Sequence, residues 1–375
     1  MFCSVGVYGN DNFSHMEDYL VYEAKKKPET GRIVLYYGET SYWVNADIDV
    51  PLFLPLFAQR RQADLRRIAH REDAERFRMD GQMNFDSGWE WAYWLNDVVT
   101  ARASWDPMLE VEDPWEAFEA SLGPFLVLYP PSVAEPLGKL LVELTRVQER
   151  LFVYGYVAVG EGSAECLARN SLGNSDKDAS CTADYGGRKH ASSTNKLSGL
   201  AYLQGDDTWI DLPRMMGLHL LQPDKVHLQE SDDPLWPQVL ELLAAMEDSL
   251  LPLHARSRKL LLEALKLVDD PSGSILRSSG AVAITPAAFE LLMELHDSLT
   301  VLLLRVQQVH KLYRSRGSVV EGAETTSALQ SKSRELIQHA STIVLEREKR
   351  YRVDVNRIGG MLGFAVVIMP SYFFD

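Results

Sequence analysis

The sequence predicts a mainly α-helical protein of the α+β class, in which a partial parallel β/α segment is followed by a helical bundle. Three observations predict this class. Short stretches rich in β-forming residues occur near the amino end. Long stretches with the apolar periodicity of helices fill most of the rest. Residues 160–198 are rich in Gly, Ser, Asn, Asp and Thr and lack that periodicity. We therefore expect a β/α segment with aromatic and acidic helices at 1–155, a flexible polar insertion at 160–198 and a helical-bundle domain at 199–375.

The first elements are predicted to form a strand, helix, strand unit. Residues 4–8 and 32–37 are short, apolar and bounded by polar or turn-forming residues, which is typical of strands. Residues 15–26 have the spacing of a short helix. Units of this kind belong to parallel sheets, whose functional groups lie just after the carboxyl ends of the strands. Asp11 follows the first strand and Glu39 follows the second, so both are candidates for chemistry.

Helices are predicted from residue 56 onward, and no strand pattern is found after about residue 55. The predicted helices are 56–77, 87–104, 115–122, 133–154, 235–267, 286–315 and 325–350. The last three carry long apolar stripes, which are typical of an antiparallel bundle. A closed eight-stranded barrel needs at least roughly 200 residues, so we do not expect a whole barrel in this chain. Residues 60–78 alternate basic and acidic residues, which favours a solvated, ion-paired helix.

Charge and cysteine content argue against several classes of partner. The 38 basic residues against 53 acidic ones leave a net charge of -15, which repels phosphate backbones, so we expect no nucleic-acid partner. The three cysteines, Cys3, Cys166 and Cys181, are too scattered for a disulfide framework or a zinc site, although the last two could join His190 as ligands. Unpaired loop thiols are the favoured interpretation. We therefore expect neither a metal nor a cofactor.

The termini argue against a membrane span. Residues 361–374 are apolar but contain a proline and fall short of the roughly 18 to 20 residues that cross a bilayer. We expect a buried terminal segment instead, with membrane association through residues 361–374 as a weaker alternative. The chain as given opens without a signal-peptide pattern, and a secreted or endomembrane location would require a native start upstream of Met1. Neither a compartment nor an oligomeric state is predicted.

Aromatic residues and carboxylates are concentrated between residues 36 and 105. This stretch holds 13 aromatic residues, including five of the eight tryptophans, about twice the number expected from average composition. A packed aromatic core is the plainest explanation, since Trp and Tyr bury large areas in any globular protein. Carboxylates are interleaved with the rings, however, and they are seldom buried without a partner or a function. The stretch is therefore the best candidate for a ligand site.

Two pieces of this stretch carry most of the candidate residues. In YYGETSYWVNADIDV, an acid and a ring follow the end of the predicted strand. In NFDSGWEWAYWLNDVV, helical spacing places Glu90 and Trp94 on one stripe. Asp86 or Ser87 occupies the predicted N-cap position, so a capping role competes with a chemical one for this pair. The candidate catalytic residues are Glu39, Glu90 and Asp49, and the candidate substrate-binding residues are Asp11, Trp43, Asp86, Trp89 and Trp94.

Rings and acids in this combination suit a carbohydrate ligand. The C–H faces of sugars stack on Trp and Tyr, and glycoside hydrolysis uses two carboxyl groups that flank the scissile bond. The same groups could also form an aromatic cage for a quaternary ammonium ion. Glu39 could instead pair with a neighbouring Arg or cap a loop, and Glu90 could instead form an ion pair on a helix face.

Three stretches resemble segments of large eukaryotic proteins related to TIM-barrel glycoside hydrolases: YYGETSYWVNADIDVPLFLP, MDGQMNFDSGWEWAYWLNDVVTARASWDP and the closing YRVDVNRIGG with SYFFD. The resemblance covers about residues 1–155 and, more weakly, 200–375. It implies that this chain is the carboxyl-terminal part of such a protein, with an incomplete TIM-barrel-like segment followed by a helical region. It assigns neither an activity nor a catalytic residue. The leading hypothesis, which rests on the acid at a strand end amid tryptophans, is a glycoside-hydrolase-like and truncated protein that acts on or binds carbohydrate. The alternative is a non-catalytic helical binding or scaffold protein whose aromatic segment is core.

Overall fold

The computed structural model describes residues 14–39, 53–85, 94–153, 156–159, 195–198, 203, 236–268, 283–317 and 323–349. Within these residues the protein is mostly helical, which confirms the predicted predominance of helix. The predicted strand at 4–8 and the apolar segment at 361–374 lie outside the described residues.

The amino-terminal part contains α1 (Ser14–Thr30), β1 (Leu35–Glu39), α2 (Leu56–Glu75) and β2 (Gly81–Phe85). β1 and β2 pair in parallel, and α2 lies on the crossover connection that a parallel pair requires. The sequence did not predict β2, whose residues GQMNF include a glycine, two amides and no β-branched residue. Pairing with β1 therefore stabilises a strand that local preference alone does not favour.

A second sheet consists of β3 (Tyr156–Val159) and β4 (Asn195–Ser198), which pair antiparallel. β4 occupies the last four residues of the stretch predicted to be a flexible insertion, and it lies well beyond residue 55, after which no strand was predicted. The sheet of β1 and β2 contains no third strand among the described residues. Residues 160–194 of the predicted insertion lie outside the described residues.

Four helices follow β2: α3 (Trp94–Trp105), α4 (Pro114–Ser121), α5 (Gly123–Leu126) and α6 (Pro131–Gln148). Asp113 caps α4, because its carboxylate accepts hydrogen bonds from the backbone N–H groups of Trp115 and Glu116 at 2.7 and 2.9 Å. A π-helical turn at Glu149–Val153 continues α6, so the predicted helix at 133–154 is close to the observed span.

The carboxyl-terminal bundle contains α7 (Trp236–Leu265), α8 (Pro286–Gly317) and α9 (Ala323–Glu348). α8 packs against both of the other helices, and α7 also packs against α6. Contacts of Ser257 with His296 and of Glu247 with His310 show that α7 and α8 run antiparallel, as predicted. One core cluster draws buried residues from α2 through α9. The predicted division between 1–155 and 199–375 stays a prediction. Across the part of the chain that the structure describes, no helix is long and apolar enough to cross a bilayer.

Two stacked histidines join α7 to α8. The rings of His254 and His296 are 5.0 Å apart and nearly parallel. Thr300 donates its hydroxyl hydrogen to the backbone oxygen of His296 at 2.8 Å, so it accepts a hydrogen bond from Nε2 of His254 at 2.9 Å. Ser257 Oγ lies 3.0 Å from Nδ1 of His296. Both rings are therefore held in place by hydroxyl groups while they are neutral.

Protein stability is expected to fall as the pH drops below about 6.5. Burial is the main cause that lowers the pKa of His254, and the charge of Arg258 lowers it further. Burial also lowers the pKa of His296; His254 and Arg258 lower it further, whereas Asp297 raises it. At pH values between these lowered pKa values and the unfolded-state value of about 6.5, the unfolded chain binds more protons than the folded protein. The free energy of unfolding therefore rises with pH in this range and falls as the pH is lowered. Melting temperatures at pH 5.0, 6.0 and 7.5 test this. A His254→Gln, His296→Gln double variant with an unchanged pH dependence would contradict it.

Candidate functional site

The candidate site is defined by the carboxyl ends of β1 and β2. Glu39 is the last residue of β1, and in the parallel register it is paired with Phe85, the last residue of β2. The two strands therefore end side by side at the same edge of the sheet. Glu39 is described for its backbone, whereas Asp11, Trp43, Asp49, Asp86, Trp89 and Glu90 lie outside the described residues.

Trp94 is the one candidate residue whose side chain is described. Its indole Nε1 donates a hydrogen bond to Oε1 of Glu294 on α8 at 3.0 Å, and its ring lies 5.1 Å from that of Phe125. The ring is partly buried against the main core cluster. Trp94 thus anchors the start of α3 to the bundle. Its role in substrate binding stays a prediction.

Tyr36, Arg61 and Asp64 form a buried polar triad between β1 and α2. Tyr36 in β1 is 2% exposed, and Arg61 and Asp64 in α2 are 0% and 4% exposed. The hydroxyl of Tyr36 donates to Oδ2 of Asp64 at 2.8 Å and accepts a hydrogen bond from Nη1 of Arg61. Nη2 of Arg61 also lies 2.8 Å from Oδ2 of Asp64. The triad joins the first turns of α2 to the strand that ends in Glu39.

The prediction that residues 60–78 form a solvated helix is wrong for its first turns. Ion pairing is present, but Arg61 and Asp64 are buried because they share a face with Phe57, Leu65 and Ile68. That shared face is visible in the helical spacing of the sequence. An arginine and an aspartate three residues apart on an apolar stripe were therefore a signal of a buried pair.

Gln148 of α6 forms hydrogen bonds with the backbone at Phe53 and Leu56, where the described chain resumes after β1. Its side-chain Nε2 donates to the backbone oxygen of Phe53 at 2.7 Å, and its Oε1 accepts from the backbone N–H of Leu56 at 3.3 Å. Pro55 at the N-cap of α2 has no side chain that could accept a hydrogen bond from the first backbone N–H groups of the helix. The side-chain oxygen of Gln148 accepts one of these hydrogen bonds instead. Both ends of the segment 40–52, which contains Trp43 and Asp49, are therefore held by the fold.

The segment 86–93 likewise runs between two defined positions. It follows Phe85 at the end of β2 and precedes Trp94, which is bound to Glu294. The two pieces of sequence that carry the candidate acids and rings thus start from neighbouring strand ends. Within the described ranges, no group of three His, Cys, Asp or Glu residues could hold a metal ion.

Comparison with known proteins finds no matching family, no matching curated protein and no matching solved structure.

Proposed function

We propose that this protein is glycoside hydrolase-like and binds and cleaves carbohydrate at the carboxyl edge of β1 and β2. The observation that carries the proposal is the parallel pairing of Glu39 with Phe85. It places the strand that ends in an acid beside the strand that precedes DSGWEWAYW. In parallel β/α folds, catalytic groups come from the ends of several neighbouring strands.

The proposed chemistry uses two carboxyl groups. Glu39 is one of them, and Asp11, Asp49 or Glu90 is the other. One protonates the leaving oxygen of the glycosidic bond, and the other attacks the sugar or activates water. Trp43 and Trp89 stack on sugar faces, and Asp86 accepts hydrogen bonds from sugar hydroxyls. The triad between β1 and α2 and the hydrogen bonds of the Gln148 amide support the proposal. A catalytic acid must be held in one geometry by neighbouring packed and hydrogen-bonded residues.

The proposal includes a relationship to the TIM barrel. A strand, a helix and a second parallel strand form the repeating step of that barrel, and β1, α2 and β2 have this order. In a complete barrel, further strands would flank this pair and supply more of the active-site edge.

The test is hydrolysis of a panel of aryl glycosides and oligosaccharides. Glu39→Gln is expected to lower turnover by at least about 100-fold, because a positioned acid or base contributes roughly 10²- to 10⁴-fold. Circular dichroism should show that the fold is unchanged. The matched control is Glu110→Gln, which changes an exposed acid between α3 and α4 and should leave turnover unaffected. Equal activity of Glu39→Gln and the wild type would reject the role of Glu39, and an inactive wild type would reject hydrolysis.

A second candidate function is a non-catalytic helical binding or scaffold protein. The observation that favours it is the use of Trp94 in packing, through Glu294 and Phe125. If Trp43 and Trp89 are also core residues, Trp43→Ala and Trp89→Ala will lower stability, and neither the wild type nor the variants will bind glycans on an array. Glycan binding by the wild type that either variant abolishes without unfolding would favour the carbohydrate site.

A further inference from the structure

We propose that the outer face of the second half of α7 binds an acidic amphipathic helix of a partner protein. Five residues on this face form what we call the outer seam: Leu251, Ala255, Arg258, Leu262 and Leu265. All five are exposed to solvent, and the three leucines are 42%, 52% and 54% exposed. The inference does not depend on the proposed carbohydrate site.

The second half of α7 is apolar on two opposite faces. Leu253, Leu260 and Ala264 are buried on the inner face and belong to the main core cluster. The outer seam lies on the opposite side of the helix, since each residue is turned by about 100° from the one before it. A helix at the surface of a globular protein ordinarily has one apolar and one polar face. Leucines grouped on the solvent side therefore indicate a contact with another molecule.

The spacing of the outer seam is that of two helices packed side by side. Its residues follow one another at intervals of four, three, four and three positions. This is the alternation of a and d positions in the heptad repeat. Continued towards the amino end of α7, the same spacing reaches Asp248, Ala244 and Glu241, two of which are acids. The seam is therefore confined to the second half of the helix.

Basic residues surround the outer seam, although the whole chain carries a charge of -15. From Leu251 to Lys266 there are four basic residues and one acidic residue. Arg258 lies in the seam, and Lys259 and Lys266 follow it at two successive e positions. Arg258 and Lys266 have no ion pair with any residue in the described part of the chain, and Lys259 is 78% exposed with Glu263 at 3.9 Å. Carboxylates on a bound helix would complement these charges.

The dipole of α7 accounts for only one of these three cations. Partial negative charge at the carboxyl end of a helix favours a basic residue in or next to the last turn, which explains Lys266. The effect falls off within that turn. Arg258 and Lys259 lie about two turns before the end of α7 at Leu265, so they require another explanation.

Arg258 argues against a second copy of α7 as the occupant of the seam. It is the central seam residue, with Leu251 and Leu265 each seven positions away. A symmetric antiparallel pair would place it against the same arginine of the other copy, and a parallel pair in register would do so too. Like charges that face each other oppose such pairing. A different helix with an acid at the facing position has no such penalty.

An anionic membrane surface suits the outer seam less well than a helix does. A helix that lies in a membrane interface buries a broad apolar face among the lipids. In α7 the broader apolar face is already packed in the core, and the seam is one heptad stripe. Asp248 and Glu241 continue the outer face in the first half, where they would be repelled by anionic lipid.

A synthetic acidic peptide is the probe for this surface. It contains three heptads with Leu at the a and d positions, except for a central Glu that would face Arg258, and with Glu at the flanking positions. Its own carboxylates oppose self-association. Fluorescence anisotropy should show that the labelled peptide binds the full-length wild-type protein at micromolar concentration. Leu262→Gln should weaken this binding at least about tenfold, because it removes a leucine that the peptide would bury.

The melting temperature should distinguish lost binding from unfolding. Leu262 is 52% exposed, so Leu262→Gln should melt within a few degrees of the wild type. The matched control is Ile33→Gln, which changes a leucine-sized residue that is 75% exposed and lies outside α7. This control should bind the peptide as tightly as the wild type does.

Charge reversal tests the role of Arg258. A second peptide carries Lys in place of the central Glu and is otherwise identical. Wild-type protein should bind the Glu peptide at least about tenfold more tightly than the Lys peptide, and Arg258→Glu should reverse this preference. Non-specific apolar adsorption would not give such a reversal.

Several results would overturn the proposal. They include failure of the Glu peptide to bind at several hundred micromolar, equal binding by Leu262→Gln and the wild type, and an unchanged preference in Arg258→Glu. Dimerisation of the wild type in analytical ultracentrifugation that Leu262→Gln abolishes would assign the seam to a second copy instead. Flotation with phosphatidylserine vesicles that the same variant abolishes would assign it to a membrane.

Discussion

Asp64→Asn is expected to lower the free energy of unfolding by about 3–5 kcal/mol, because it leaves a buried guanidinium without a neutralising charge. Arg61 is 0% exposed, and the Asp64 carboxylate is its ion-pair partner at 2.8 Å. The same carboxylate accepts the hydroxyl hydrogen of Tyr36. Urea denaturation followed by circular dichroism measures the loss.

The matched control is Asp73→Asn in the same helix. Asp73 also pairs with an arginine, at 2.7 Å from Arg78, but both side chains are more than half exposed. Exposed ion pairs contribute about 0–1 kcal/mol, so this variant should be close to the wild type. If Asp64→Asn and Asp73→Asn have equal stability, the triad is not a buried charge pair.

A double variant separates charge burial from packing. Arg61→Met combined with Asp64→Leu removes both charges and leaves apolar side chains in their place. Replacing a whole buried ion pair is much less costly than breaking it, so this variant should be more stable than Asp64→Asn. A double variant that is less stable than Asp64→Asn would show that packing of the arginine stem, and not its charge, is the main contribution.

Phe125→Ala is expected to lower the free energy of unfolding by about 3–5 kcal/mol, through lost contacts and the cavity left behind. Phe125 is 2% exposed, and its ring lies 5.1 Å from Trp94 and 5.2 Å from Tyr129. The Tyr129 hydroxyl donates to the backbone oxygen of Ala288 on α8 at 2.7 Å. Phe125 therefore lies where the amino-terminal helices contact the bundle.

Val127→Ala is the control, since Val127 lies two residues further on and is 78% exposed. It should change stability by no more than about 0.5 kcal/mol. Because one core cluster contains residues of α3, α5 and α8, the Phe125→Ala variant should unfold in a single transition by both tryptophan fluorescence and circular dichroism. Two separate transitions would contradict a shared core.

Helices were the part of the fold most open to prediction. The stretches 235–267 and 286–315 correspond to Trp236–Leu265 and Pro286–Gly317, because apolar residues at helical spacing must be buried along one face. Strands were less predictable. β1 begins three residues later than expected, and β2 was not expected at all, since GQMNF becomes a strand only by pairing with a distant segment.

The local sequence pattern was sufficient to propose two pieces of a candidate site, one around Glu39 and the other around Glu90 and Trp94. Composition alone gave the net negative charge of the chain, from which no nucleic-acid partner is expected. Those properties depend on residue type and spacing alone. That the two pieces start from neighbouring strand ends follows from the pairing of Glu39 with Phe85, which joins positions far apart in the sequence. The apolar stripe of α2 signals the burial of Arg61, but the contact of Arg61 with Tyr36 arises only when α2 packs against β1. Contacts between distant segments leave little trace in local sequence, so the tertiary structure alone decides them.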